Sequence, residues 1–374
     1  MSEHATRFTR GGLLKAGAAG AAGLYLTGGS ALAARARPAA TRGVEGITLT
    51  WLTWFDHWFK DQIQEVQKKI GIGARPSLAA ADSEIYTKIR QTGSQFDITS
   101  ADALWVTKMN KDGLTESFDI NAIPAAKQLY SIARQIPFWK DGSNYMAYPL
   151  GWSSVQVYYN PKYVKTKPDS WHALIDPKYK GKIVYENQPE NVVALGILAT
   201  GGAKDPYNPT AAQLSRSKEF LKKLKPNILK LVSQNSETIT ALVDESAWIG
   251  LGNLGVDTRV KDAKGPLIKT ATPKEGVFGW MDAEQMVTKS KHKDVFLKFM
   301  DATEQAPWIA KNFIANGRPL FNEQAYKILV NQGHKQRADL FFYNDPERAL
   351  KMKLAGPSHN EQEILDTFNE VFGA

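Results

Sequence analysis

From residue 47 the chain alternates between short runs with a period of two and longer runs with apolar residues every three or four positions. Ile47-Thr48-Leu49-Thr50-Trp51-Leu52-Thr53-Trp54 is rich in β-branched and aromatic side chains and predicts a strand. Ile63, Val66 and Ile70 share one face of a helix that Gly71 and Gly73 close. An apolar stretch near Leu78 predicts a second strand, and a helix opening at Asp82 or Ser83 carries Ile85 and Ile89 to Gly93. A third strand over 96–100 and a third helix over 104–110 follow. Strand–helix alternation at this period implies a parallel sheet covered on both faces. Ligands of such sheets gather beyond the strand C-terminal ends. Residues 54–58 and 101–105 lie there.

A segment over 145–151 that contains Pro149 leads into Trp152-Ser153-Ser154-Val155-Gln156-Val157-Tyr158-Tyr159-Asn160, which reads as a crossing between two lobes. Mixed patterning continues with a strand over 183–185, helices over 191–200, 210–224 and 237–243, and a strand over 248–251. A return crossing is expected over 273–282, then helices over 294–304, 307–316, 323–331 and 362–371. The partition is an export signal over 1–33, a tether over 34–45, a discontinuous first lobe over 46–150 and 280–340, a second lobe over 151–279, and C-terminal helices over 341–374. The fold class is α/β, each lobe a mixed, mostly parallel sheet flanked by helices.

Composition sharpens this. The length, 374 residues, accommodates two domains. Cysteine is absent, which excludes disulfides, thiolate metal sites, a cysteine nucleophile and a lipid-modified N-terminal Cys. The net charge of +9 is spread along the chain among acids, with no basic run and no basic–aromatic alternation, so no nucleic-acid partner is expected. Arg7, Arg10 and Lys15, a weakly apolar Gly/Ala run, and Ala31-Leu32-Ala33 form an export signal with cleavage near Ala33. Thr9-Arg10-Gly11-Gly12-Leu13-Leu14-Lys15 resembles a twin-arginine motif with one arginine missing, which leaves a Sec or degenerate Tat-type route open. No later apolar run reaches the ~18 residues of a membrane span, so direct membrane insertion is not expected.

The candidate chemistry centres on Pro273-Lys274-Glu275-Gly276-Val277-Phe278-Gly279-Trp280-Met281-Asp282-Ala283-Glu284-Gln285-Met286. Residues two apart on a strand share a side, so Trp280 and Asp282 face one compartment. An indole face and a carboxylate aimed at one space suit an ammonium ligand. A core Trp beside a solvated Asp is the plainer alternative. Gly250-Leu251-Gly252-Asn253-Leu254-Gly255 spells GxGxxG, but deep in the second lobe rather than at a first βα turn. It is expected to bring backbone close to the ligand, with Asn253 as a contact, rather than to bind a nucleotide. The chain lacks H-E-x-x-H, G-x-S-x-G and P-loop motifs, and its six histidines are scattered, so neither enzyme chemistry nor a cofactor or metal is expected.

Pro273-Lys274-Glu275-Gly276 followed by Trp280-Met281-Asp282 is similar to the ligand-site segment of spermidine/putrescine-binding proteins, the periplasmic components of polyamine ABC importers. Asn160-Pro161-Lys162, Ser170-Trp171-His172-Ala173-Leu174 and Asp176-Pro177-Lys178-Tyr179-Lys180-Gly181-Lys182-Ile183 resemble the wider extracellular solute-binding superfamily. The resemblance spans roughly residues 46–374. It implies a two-lobed periplasmic-binding-protein fold of type II, periplasmic location, and a monomer that delivers a small amine-containing ligand to an ABC transporter permease. It also implies that Trp54, His57 and Trp105 fall on or next to ligand-facing aromatic positions, and that Trp152 stands where the family has a Trp. The family's two acidic positions for a distal amine fall on Gln188 and Asn191, with Glu186 or Glu190 as substitutes after a short shift. Amides there point to a ligand with one ammonium and a polar remainder, such as a monoamine or an amino-acid- or opine-like conjugate, alongside polyamine-like solutes. A secreted hydrolase or a sensory module on the same fold, or a ferric-ion binder using Tyr158-Tyr159, remain the other classes.

Overall fold

A computed structural model describes residues 46–373 apart from 56, 80, 202–203 and 318–319. The expected export signal, its cleavage site and the tether lie outside the described residues. In chain order, β1 (Ile47–Thr53), α1 (Lys60–Ile70), β2 (Ile72–Leu78), α2 (Asp82–Thr92), β3 (Ile98–Asp102) and α3 (Ala103–Lys111) alternate as the hydropathy predicts. Gly71 closes α1 in the left-handed region, φ 74°, with its N–H on Gln67 O. Short 3₁₀ turns such as Pro124–Gln128 and Pro137–Trp139, each opened by a proline, carry the chain to β4 (Tyr148–Ser154).

The second half supplies β5 (Gln156–Tyr159), β6 (Ile183–Glu186), α4 (Pro189–Ala199), α5 (Ala211–Leu224), β7 (Ile228–Val232), α6 (Asn235–Val243), β8 (Ile249–Gly252), α7 (Val256–Asp262), β9 (Lys269–Ala271) and β10 (Phe278–Val287). Then come α8 (Lys293–Thr303), α9 (Ala306–Asn316), α10 (Glu323–Asn331) and α11 (Glu361–Phe372). In the first sheet β2, β1 and β3 run parallel, and β10 lies antiparallel between β3 and β4. In the second, β7, β6 and β8 run parallel and β5 lies antiparallel between β8 and β9. Each sheet has its own apolar core.

Two strands connect the halves. Only Val155 separates β4 in the first sheet from β5 in the second, and its N–H donates to Phe278 O at 3.0 Å. The return runs from β9 to β10 and pairs beside the outgoing strand, Gly279 opposite Ser154. The first core continues past residue 340 through Phe341, Tyr343, Ala349 and Met352. The last helix, α11, instead packs on α4 and α5 and places Ile364, Phe368 and Val371 in the second core. Because α4 is covered by α5 and α11, its residues 191–199 are buried all round, which explains an apolar sequence without helical stripes.

Candidate functional site

The ends of β1, β3 and β10 from the first half meet the start of α4 and the loop after β8 from the second. Two adjoining cavities of about 510 and 410 Å³ lie between them and share Ala81, Asp82, Asp102, Glu186, Gln188, Asn253 and Trp280. Volumes of this size fit a small solute. Trp280 is half-buried and Asp282 almost wholly buried, and both line the smaller cavity.

The strand register concentrates negative charge at one point. Asp282 on β10 sits directly opposite Asp102 on β3. Like charges in that position repel unless something neutralises them. Asp82 opens α2 and accepts the Asp102 N–H on Oδ1 at 2.9 Å. Enclosure between the walls and the Asp282 charge raise the Asp82 carboxyl to about 7, against the lowering effect of that hydrogen bond. Opposite, Glu186 ends β6 and Glu190 lies in the first turn of α4; burial raises the Glu186 carboxyl. Both line the larger cavity. The sequence analysis gave Asp82 only as a possible helix start and Asp102 only as part of the 101–105 strand end, neither as a ligand residue. They sit at two βα turns twenty positions apart, and the parallel order β2-β1-β3 brings their helix starts to one edge.

The sequence-expected residues fall in different places. Trp54 lines the smaller cavity and Trp105 the larger. Trp105 packs on Tyr86 with ring centroids 5.7 Å apart. Trp152 does not reach either cavity: it pairs with Met281, whereas its neighbour Ser153 pairs with Trp280 and faces the smaller one. The alternation of β4 therefore turns Trp152 into the first core, where it is 1% exposed. His57 borders the smaller cavity, but its ring nitrogens point to protein carboxylates: Nδ1 is 2.6 Å from Glu284 Oε1 and Nε2 is 3.8 Å from Asp282 Oδ2. Glu284, fully buried behind the cavity wall, is a residue to which the sequence analysis assigned no role.

Gln188 precedes α4, but its side chain does not cap the helix. Asn191 lies inside the first turn, its Nδ2 donating to Gln188 Oε1 and its Oδ1 accepting from Tyr207 OH at 2.9 Å. Asn253 lines both cavities, and its carbonyl accepts from Tyr158 OH at 2.8 Å. The GxGxxG glycines serve packing rather than a phosphate. A Cβ on Gly250 would meet Leu242 at 2.9 Å, and one on Gly255 (φ +87°) would lie 1.8 Å from the Phe341 ring. Tyr158 and Tyr159 are buried on opposite sides of β5, one in a small cluster with Leu242 and the other in the second core, so they do not converge on an ion. Among the described residues no group of three or more His, Cys, Asp or Glu is arranged to hold a metal.

Arg259 on α7 lines the smaller cavity and reaches across to the first half, donating to Asn316 O at 2.9 Å and Gly317 O at 3.4 Å. Leu254, next to Asn253, is buried in the first core although the strand before it belongs to the second sheet. The two halves are thus clasped around the cavities.

The profile of the bacterial extracellular solute-binding proteins matches residues 65–327. Spermidine/putrescine-binding periplasmic protein 1 of Haemophilus influenzae is 24% identical over 287 residues, 76% of this chain and 78% of that protein. The spermidine/putrescine-binding periplasmic protein of Escherichia coli is 24% identical over 293 residues, 78% of this chain and 82% of that one. The structure of a spermidine/putrescine ABC transporter substrate-binding protein from Streptococcus pneumoniae is similar at a TM-score of 0.72 and 20% identity, covering 87% of this chain and 98% of that chain. With the two-sheet fold in place and the profile spanning well over half its length, this protein belongs to the bacterial extracellular solute-binding family.

Proposed function

We propose that the protein is the substrate-binding component of an ABC importer and holds a small amine-containing cation between its lobes. The observation that carries this is the convergence of Asp82, Asp102 and Asp282 beside Trp280, with Glu186 and Glu190 across the gap. In a chain of net charge +9, this concentration of carboxylates around two adjoining cavities suits a positively charged ligand. An ammonium on Asp282 gains a charge-assisted hydrogen bond of roughly 1.5–3 kcal/mol, and the indole face adds about 0.5–2 kcal/mol of cation–π attraction. Carboxylates on both walls favour a ligand with two or more cationic nitrogens over the single ammonium suggested by Gln188 and Asn191.

Arg259 supports a second reading. It borders the same cavity as Asp282 and Trp280, so an ω-amino acid would place its ammonium on Asp282 and its carboxylate toward the guanidinium. In either case binding acts by hinge closure about the paired crossings: contacts from both walls exist only when the lobes meet, so the ligand shifts the population toward the closed form. The named relatives are spermidine/putrescine-binding periplasmic proteins, and we extend their compartment to this chain, which acts as a monomer and delivers its ligand to an inner-membrane permease. Mass spectrometry of the small molecule that co-purifies, with thermal-shift screening of diamines, monoamines and ω-amino acids against uncharged isosteres, tests the proposal. A co-purifying or stabilising amine is expected. Stabilisation by neutral sugars alone would overturn it.

A further inference from the structure

The last helix brings to the larger cavity a leucine that belongs to neither core. Along α11, Ile364, Phe368 and Val371 enter the second core at helical spacing. Leu365 stands one position off that face and is 40% exposed. With Glu361, one turn earlier on the same side of the helix, it lines the larger cavity. The chain reaches this place from the first half. Lys353 and Leu354 pair with β10 at Phe278 and Gly279, and the Ala355 N–H donates to Gly279 O at 2.9 Å. Gly356 lies so close to α3 that a Cβ would stand 2.6 Å from Leu104. Ser358 Oγ then donates to Tyr207 O, in the second half, at 2.6 Å. This segment therefore walls the larger cavity from one half to the other.

The two cavities differ in what they offer. Asp282, His57 and Arg259 line the smaller and not the larger. Trp105, Pro189, Ala355, Ile364 and Leu365 line the larger and not the smaller. Asp82, Asp102 and Glu186 border both and mark the junction. Glu190 and Glu361 also line the larger cavity, as exposed carboxylates. Beyond an acidic junction, an apolar wall suits hydrocarbon attached to a cation, because covering Leu365 removes apolar surface from water.

We propose that the larger cavity is a subsite for an apolar or aromatic substituent on the amine, so that the ligand is an N-substituted diamine rather than a bare one. The free ammonium lies on Asp282, the second nitrogen at the junction carboxylates, and the substituent against the wall that Trp105 and Leu365 help to form. This rests on Asp282 being the ammonium partner. Adjoining cavities of about 510 and 410 Å³ are in the range that holds drug-sized ligands, well beyond a short diamine. The Trp105 indole is backed by Tyr86 at 5.7 Å and presents an aromatic surface to the substituent.

Calorimetric titrations with putrescine, N-benzylputrescine and N-hydroxyethylputrescine test the subsite. The benzyl compound should bind about tenfold or more tightly than putrescine, as burial of a ring of that size gives, and the hydroxyethyl compound less than about twofold more tightly. In Leu365→Ser the ratio of benzyl to putrescine affinity should fall about threefold or more, while Leu365→Met, which keeps the apolar bulk, should preserve it. Equal affinity for putrescine and its benzyl derivative, an equal gain from the hydroxyethyl group, or an unchanged ratio in Leu365→Ser would overturn the subsite and leave the amine reading standing. Absence of binding by all three amines would refute the amine reading, and the subsite with it.

Discussion

Asp82 at the start of α2 and Asp282 on β10 share one cavity closely enough that the charge of the second, added to enclosure, raises the carboxyl of the first to about 7. Two carboxylates set against each other in this way are costly in an empty cleft and favourable around a cation.

That relationship makes binding proton-linked. Asp82 is partly protonated at neutral pH, and a cation beside it lowers its pKa, so ligand uptake near pH 7 releases up to about half a proton. Calorimetry in buffers of different ionisation enthalpy should show that release, and Asp82→Asn should abolish it. The stability sign follows from the same shift. The folded pKa lies above the ordinary 3.8, so the penalty is absent below about pH 4, grows as pH rises toward 7, and is complete above it. The empty protein should therefore melt at a lower temperature at pH 8 than at pH 5.5, with Asp82→Asn flattening that trend.

Glu186 and Glu190 lie on the opposite wall and act on the far end of the ligand. Glu186→Gln with Glu190→Gln should weaken a diamine by about tenfold or more while changing a monoamine by less than about threefold, given roughly 1.5–3 kcal/mol for a charged hydrogen bond. Equal losses for both ligands in parallel titrations would place the second nitrogen elsewhere.

Arg259 holds the lobes together through backbone carbonyls at Asn316 and Gly317. Arg259→Ala should leave each core intact and speed ligand release several-fold, because most effects on a formed interface appear in the off-rate. Stopped-flow tryptophan fluorescence checks this. If an ω-amino acid is the ligand, its affinity should fall far more than that of a diamine.

Gly255 meets both of its constraints at once, a positive φ of 87° and the Phe341 ring where a Cβ would go. Gly255→Ala should lower the melting temperature in a thermal scan and weaken closure, an effect of about 2 kcal/mol or more being typical of overpacking combined with a strained backbone.

How much of this was visible in the chain depends on which physics set each feature. Strand–helix alternation was legible because burial on one helix face or both sheet faces writes its period into the sequence, as Ile63, Val66 and Ile70 do on α1. The shared side of Trp280 and Asp282 followed from the two-residue period of a strand, and both do line one cavity. Trp152 entered only as the position where the resembling family has a Trp, while the register that gives the cleft side to Ser153 is fixed by pairing with β10 and is invisible in β4 alone. Asp82 and Asp102 meet only through tertiary pairing. Glu284 lies two positions past Asp282, but nothing in the sequence says that Trp51, Ser100 and His57 close around it.

The most direct measurement is a calorimetric titration of the unmodified protein and of Asp282→Asn with the same amine. A loss of about tenfold or more in the variant, with folding intact by circular dichroism, is the expected result for a charged hydrogen bond of roughly 1.5–3 kcal/mol. Equal affinity in the two proteins would contradict the assignment of a cationic nitrogen to Asp282.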